Sequence, residues 1–244
     1  MSGISRALLL RQSLADIVTN DDRAAAVFER AGLDYCCHGH ETLEDAAAER
    51  GVPAEELLDR LDALGPAPPE AGAAAVVDLD ALTTQIVAQH HEYVRRTSPV
   101  ISGWLAKLAA QHGERHPELL EVSATFAAFA EEMANHMVKE EQILFPYIDS
   151  LTTVARSGGR LPPSPFGTVL NPIRMMEADH READAHLMRL RTLTNGYTPP
   201  ADGCTTYRLC YETLARYEAD LHRHVHLENN VLFPRAIELE RRLA

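Results

Sequence analysis

Basic residues are scarce in this chain: 23 lysines and arginines stand against 36 aspartates and glutamates, a formal net charge of -13. Nucleic acid and anionic membrane surfaces are held by clustered positive charge, so neither is expected as a partner. Long apolar runs are missing as well; none approaches the roughly 18 residues that cross a bilayer. The N-terminus has no signal-type apolar region. Cysteine is sparse, four residues of which two are adjacent, and this is no disulfide framework. A soluble, cytoplasmic protein of a reducing compartment is expected. No HExxH zinc motif occurs, and no strand leads into a glycine-rich turn that would cradle a nucleotide.

What the chain has in quantity is histidine, with 12 residues, and a motif that occurs twice. His136-Met-Val-Lys-Glu140-Glu-Gln-Ile-Leu-Phe-Pro146 returns as His224-Val-His-Leu-Glu228-Asn-Asn-Val-Leu-Phe-Pro234. Residues four apart share a helix face, so each copy aims one imidazole and one carboxylate at the same point. Apolar spacing puts that point inside. Val122, Phe126, Phe129, Met133, His136, Glu140, Ile143 and Tyr147 step by four and three, the stripe that a helix turns to a bundle core. Cys210, Leu214, Tyr217, Leu221, His224, Glu228 and Val231 repeat it. Ionisable pairs in an apolar stripe are costly unless paired or bound to metal.

Residues 1–65 read as a small domain of short helices: one around Ser13 to Val18, one to Ala31, one opened by Thr42 and one with Pro53 in its first turn, with Gly32 and Gly51 as stops. Residues 66–77 form a linker rich in Gly, Pro and Ala. From 78 to 244 the chain is all helix: four long helices, predicted over about 78–111, 117–151, from about Val169, and 205–241. Stripes place His136, His180 and His224 inward. In the first helix, a stripe through Val87, His91 and Val94 competes with one through Leu79, Ile86, His90 and Tyr93, and periodicity leaves the two open. With His91 the inward histidines recur about every 44 residues, which an up-down-up-down bundle returns to one level.

Four imidazoles with Glu140 and Glu228 bridging would give each of two metals two nitrogens and two oxygens. About two of six octahedral positions would remain for an oxo or hydroxo bridge and an exchangeable ligand. Such a set suits iron or manganese and would accept zinc. Any one of these histidines alone would pass for a core residue; four in register do not. A ferritin-like carboxylate site needs ExxH on two helices, and only Glu177-Ala-Asp-His180 fits. His222 and His226 are expected on a solvated face. Glu132 and Asp179 are candidate hydrogen-bond acceptors for the ligands. Pro146 and Pro234 should kink their helices, and the Leu-Phe pairs before them should seal the site from water.

A second cluster of reactive side chains is Leu33-Asp-Tyr-Cys36-Cys37-His38-Gly-His40. A bond between adjacent cysteines would be strained and readily reduced, so Cys36 and Cys37 suit metal capture, reaction with nitric oxide, or thiol exchange.

With Asp34-Tyr-Cys-Cys, His136-Met-x-Lys-Glu-Glu-Gln-Ile-Leu-Phe-Pro, Met176-Glu-x-x-His180, Cys204-Thr-Thr and Leu227-Glu-Asn-Asn-Val-Leu-Phe-Pro-Arg-Ala in this order, the chain resembles the RIC family, the bacterial hemerythrin-like di-iron proteins associated with repair of iron centres. The resemblance spans nearly the whole length. It implies an all-α, hemerythrin-like bundle with a small N-terminal helical domain. It also implies two non-haem iron ions on His91, His136, Glu140, His180, His224 and Glu228, and it favours His91 over His90 because His91-Glu-Tyr-Val-Arg with Pro99 fits the family's first helix. His38-Gly-His40 after the cysteine pair and the extra histidine at 226 depart from the pattern. The implied function is repair of iron-sulfur clusters damaged by nitric oxide or peroxide, by iron donation, with Cys36 and Cys37 as a thiol relay. Damaged iron-sulfur proteins would be the partners. A nitric oxide reductase, or a nitric oxide or oxygen sensor, would use the same six ligands. The apolar faces of the N-terminal helices offer a surface for a homodimer.

Overall fold

Capping chemistry lays out the N-terminal region. The Ser13 and Thr42 hydroxyls accept the amides of Asp16 and Asp45, opening the helices Leu14–Asn20 and Leu43–Arg50. Gly32 (φ 69°) and Gly51 (φ 66°) end Ala24–Ala31 and Leu43–Arg50 in the left-handed conformation that favours glycine. The computed structural model describes residues 3–67, 77–161 and 164–244. In it the short helices are α1 (Gly3–Leu10), α2 (Leu14–Asn20), α3 (Ala24–Ala31), α4 (Leu43–Arg50) and α5 (Ala54–Ala63). The sequence pattern did not mark α1, which is tied to α5 by Arg6 donating to Asp59 (2.7 Å) and Asp62 (3.0 Å). Most of the linker expected at 66–77 lies outside the described residues.

Four long helices follow. Helix α6 runs over 79–112 as Leu79–Ile86, a π turn Val87–His91 and Glu92–His112; α7 runs over 118–157 as Glu118–Lys139, a π turn Glu140–Leu144 and Phe145–Ser157. Helix α8 is Leu170–Leu193, and α9 runs over 205–243 as Thr205–His226, a π turn Leu227–Leu232 and Phe233–Leu243. The chain is an all-α bundle in which α7 packs along α6 and α8, and α6 along α9.

The π turns explain where the periodic reading slipped. Each adds a residue to its turn and rotates the inward face by one position. On α6 both rival stripes are therefore used: Leu79, Ile86 and His90 are buried before the shift, and His91, Val94 and Ile101 after it. On α7 the shift turns Ile143 out to 49 % exposure and brings in Leu144, which corrects the expected stripe. On α7 and α9 the π turn ends at Leu-Phe-Pro. Proline has no amide to give the preceding turn, and the widened turn carries the helix past it.

Apolar packing falls into two cores. One joins the N-terminal helices to one end of the bundle, through Phe28, Tyr35, Leu57, Ile101, Phe126, Phe129, Tyr217 and Leu221; the other gathers Leu82, Ile86, Leu144, Ile148, Ile173 and Leu232 at the opposite end. The apolar faces that the sequence offered for a homodimer, Leu14, Ile17, Val18 and Phe28 among them, are closed into the first core. Between the cores lies a layer of buried polar residues.

Candidate metal centre

The layer is built from one inward position on each long helix and the two HxxxE pairs. His91, His136, His180, His224, Glu140 and Glu228 are all buried to 1 % exposure or less. Their ligand atoms form two groups, His91, His224, Glu140 and Glu228 on one side and His136, His180, Glu140 and Glu228 on the other. Both glutamates belong to both groups. His91 Nε2 and His224 Nε2 lie 3.1 Å apart, as do His136 Nε2 and His180 Nε2. Glu140 Oε2 is 3.3 Å from Nε2 of both His91 and His136; Glu228 Oε1 is 2.8 Å from His224 Nε2 and its Oε2 is 3.1 Å from His180 Nε2.

These separations have a chemical meaning. Donors bound about 2.1 Å from one ion at right angles lie about 3 Å apart, so the spacing is that of edges of coordination polyhedra. Glu140 Oε1 and Oε2 and Glu228 Oε2 are buried without a hydrogen bond, near imidazole nitrogens yet not aligned with them. Buried carboxylate oxygens left so are costly in a bundle core unless a cation receives them. The residues therefore fit bound metal, with nitrogen and oxygen donors of the kind that iron takes.

Electrostatics agree. Burial favours neutral imidazole at His91 and His136, but the adjacent Glu140 and Glu228, with Asp179 at His136, outweigh it and pull each up to about 10. Burial holds His224 below the usual histidine value. Burial and mutual repulsion push Glu140 up, yet the imidazoles beside it win, and Glu228 is drawn down further.

The hydrogen bond made by the outer nitrogen of an imidazole fixes the ring and its tautomer. His91 Nδ1 donates to Glu141 (2.6 Å), which Arg95 also holds; His136 Nδ1 pairs with Asp179 (3.2 Å), backed by Lys139 at 2.7 Å. His180 Nδ1 donates to Asn229 Oδ1 at 2.9 Å. Asp179 thus serves His136 across the α7–α8 seam instead of its neighbour His180, and Glu132 pairs with His186. Glu141 and Asn229 escaped sequence reasoning; the available signal was a polar residue directly after each glutamate ligand. Phe145 stacks on His91 at 5.7 Å and Phe233 on His180 at 6.2 Å, so the Leu-Phe pairs do close the layer from below. His90 is buried too, but stands behind His224, stacked on it at 5.7 Å and bonded to Asp220.

The cysteine loop lies against this layer. Asp34 Oδ1 accepts the amides of Cys36 (3.1 Å) and Cys37 (2.8 Å) and the Cys36 thiol; the neighbouring Cys37, then burial, then Asp34 keep that thiol above its usual value. Asp34, Cys36 and Cys37 form a third small cluster of ligand-type atoms. Tyr35 meets the rings of His222 (6.3 Å) and His226 (5.6 Å), and His226 bonds Thr19. The solvated face expected for His222 and His226 is therefore covered by the N-terminal segment, whose packing periodicity could not register. Gly39 sits where a Cβ would come within 2.8 Å of Asn230 Oδ1, so the loop needs glycine there.

An all-helical bundle with histidines converging on shared glutamates defines a protein of the hemerythrin class. Residues 82–236 match the hemerythrin HHE cation binding domain, and residues 10–65 match a domain of unknown function, DUF542. The chain is 33 % identical over 229 residues to the iron-sulfur cluster repair protein YtfE of Musicola paradisiaca (strain Ech703), covering 94 % of this chain and 97 % of that one. It is 34 % identical over 229 residues to the YtfE protein of Yersinia pestis (strain Pestoides F), 94 % and 98 % covered. With the repair protein ScdA of Staphylococcus haemolyticus (strain JCSC1435) it shares 31 % over 220 residues, 90 % and 95 % covered. The chain belongs to the family of these iron-sulfur cluster repair proteins. No described helix is long and apolar enough to cross a membrane.

Proposed function

We propose that this protein repairs damaged iron-sulfur clusters by donating iron, carried as two ions in the layer between its two cores. The reading rests above all on one observation: two buried glutamates, each shared between two histidine pairs. His91 and His224 would hold one ion, His136 and His180 the other, with Glu140 and Glu228 bridging. Resident iron would supply a redox-active, ligand-exchanging centre open to nitric oxide or oxygen. The chain's own residues supply the rest. Glu141, Asp179 and Asn229 hold the imidazole tautomers with Nε2 lone pairs inward, and Phe145 and Phe233 keep water from below. Four imidazoles and shared carboxylates grip ferrous iron less tightly than a closed thiolate site, which favours delivery. Residues 1–65 would act as a separate module over the site, with Cys36 and Cys37 as the thiol relay. Four free thiols fit a reducing cytoplasm.

The test follows iron from the ferrous protein, anaerobically, to an enzyme whose cluster nitric oxide has damaged, with a fast chelator present to intercept free metal. Recovery matched by iron lost from this protein is the expected result. No recovery with both ions retained would sink donation and turn the reading to nitric oxide reduction or sensing.

A further inference from the structure

The four inward imidazoles differ in what stands behind them. Glu141 supports His91 and Asp179 supports His136, both from within the bundle. His224 Nδ1 has no hydrogen bond among the described residues and is held by the ring of His90. His180 is held by a residue that also answers to the N-terminal module. Asn229 accepts from His180 at its Oδ1 (2.9 Å), while its Nδ2 donates to the Cys36 carbonyl (3.3 Å) and lies 4.0 Å from the Cys37 sulfur. Asn230 pins the same loop, donating to the carbonyls of Tyr35 (3.3 Å) and Cys36 (3.0 Å), but its amide reaches His226 instead of an inward imidazole.

We propose that Asn229 is a positioning residue that couples the seating of the cysteine loop to the bundle's grip on one cargo ion, the one between His136 and His180. This rests on the iron-donor reading. A side-chain amide satisfies both neighbours in one orientation only, oxygen toward the imidazole N–H and NH2 toward the carbonyl. With the loop seated, the Cys36 carbonyl orients Asn229, and Asn229 fixes His180 with Nδ1 protonated and the Nε2 lone pair inward. With the loop lifted, the amide loses the partner that orients it, and the His180 ring is free to turn. The His91 and His224 side has no such dependence, since its supports are on α6, α7 and α9. Release of the ion between His136 and His180 is then tied to movement of the module.

Full-length protein loaded anaerobically with ferrous iron is mixed with excess chelator, release is followed by absorbance, and Mössbauer spectra are taken before mixing. The parent should release iron in two phases. Asn229→Leu should speed one phase by about 10- to 100-fold, the usual effect of losing a ligand's supporting hydrogen bond, and alter the signal of one iron only. Asn230→Leu, which loosens the loop without touching His180, should speed the same phase by a smaller factor. Asn229→Asp keeps an acceptor for His180 but no donor for Cys36, so adding Asn230→Leu to it should change nothing further. Equal acceleration of both phases overturns the proposal. So does a fast Asn229→Leu beside an Asn230→Leu with parental kinetics, which leaves only a local ligand support. Melting of each iron-free variant checks the fold, and Asn229→Ser replaces any variant that does not melt cooperatively. A parent that takes up no iron sinks the donor reading and this inference with it. A parent that delivers iron while the variants match it sinks the inference alone.

Discussion

At the scale of single residues, sharing decides the consequences of mutation. Each histidine belongs to one ligand group, whereas Glu140 and Glu228 belong to both. Glu140→Ala should therefore empty the protein of iron, while His136→Ala should leave about half, because the group of His91, His224 and the glutamates stays intact. Iron content after gel filtration checks both; retention of half the iron by Glu140→Ala would count against shared bridging. Protons compete for the same nitrogens. In the metal-free chain, burial opposes the charge on His91 and His136, but the carboxylates hold each up to about 10. A raised histidine stabilises the fold fully below its unfolded value near 6.5 and loses that share as pH rises through about 10; the depressed glutamates contribute above about 4.5 and fail below it. Burial holds His222, His224 and His226 below 6.5, so each costs stability as pH falls under that value, and the metal-free protein should melt highest near pH 6.5 and progressively lower toward pH 10. Loading iron at pH 7 must expel about one proton per ion, so each affinity should climb about tenfold per pH unit. Calorimetric melts and proton release in weak buffer measure the two effects; loading without proton release would contradict the assignment.

At the scale of the helix, the π turns decide which side chains the site receives. On α7, Ile143 faces solvent and Leu144 the core, the reverse of an unbroken α-helical register. Leu144→Ala should cost about 2–5 kcal/mol, as for other buried leucines, and Ile143→Ala should stay within about 0.5 kcal/mol. Denaturant unfolding distinguishes them, and equal costs would mean that the turn is α-helical in solution. This is also where legibility ended. The long helices, both HxxxE pairs and the inward facing of His136, His180 and His224 followed from a period of 3.6, because burial on one face leaves that period in the sequence. The choice between His90 and His91 did not, since a π turn runs through Val87–His91 and both stripes end up buried. Helix α1 was missed because its tie is the distant ion cluster of Arg6 with Asp59 and Asp62, and the cover over His222 and His226 because docking between separate segments leaves no local period.

At the scale of the molecule, the buried polar layer lies between two apolar cores that do not merge. The first is extended by the N-terminal helices; the second relies on the Leu79–Ile86, Phe145–Ser157 and Phe233–Leu243 segments with the start of α8. Iron held as proposed would tie the halves, since His91 and Glu228 lie within π turns that lead into the second core. A ligand that binds only the folded state stabilises it by mass action, about 2.7 kcal/mol at a hundred times its Kd, and here that stabilisation acts at the joint. Without iron the buried carboxylates have only the neighbouring imidazoles as partners, and the smaller core has less to hold it. Removing iron should therefore speed hydrogen exchange of amides in Phe145–Ser157 and Phe233–Leu243 far more than in the Glu118–Lys139 and Thr205–His226 segments of the same helices. Mass spectrometry of exchange on the iron-loaded and chelated protein reads this directly. A uniform rise along α7 and α9 would mean that the two cores unfold together, with the layer acting as ordinary core and not as a joint.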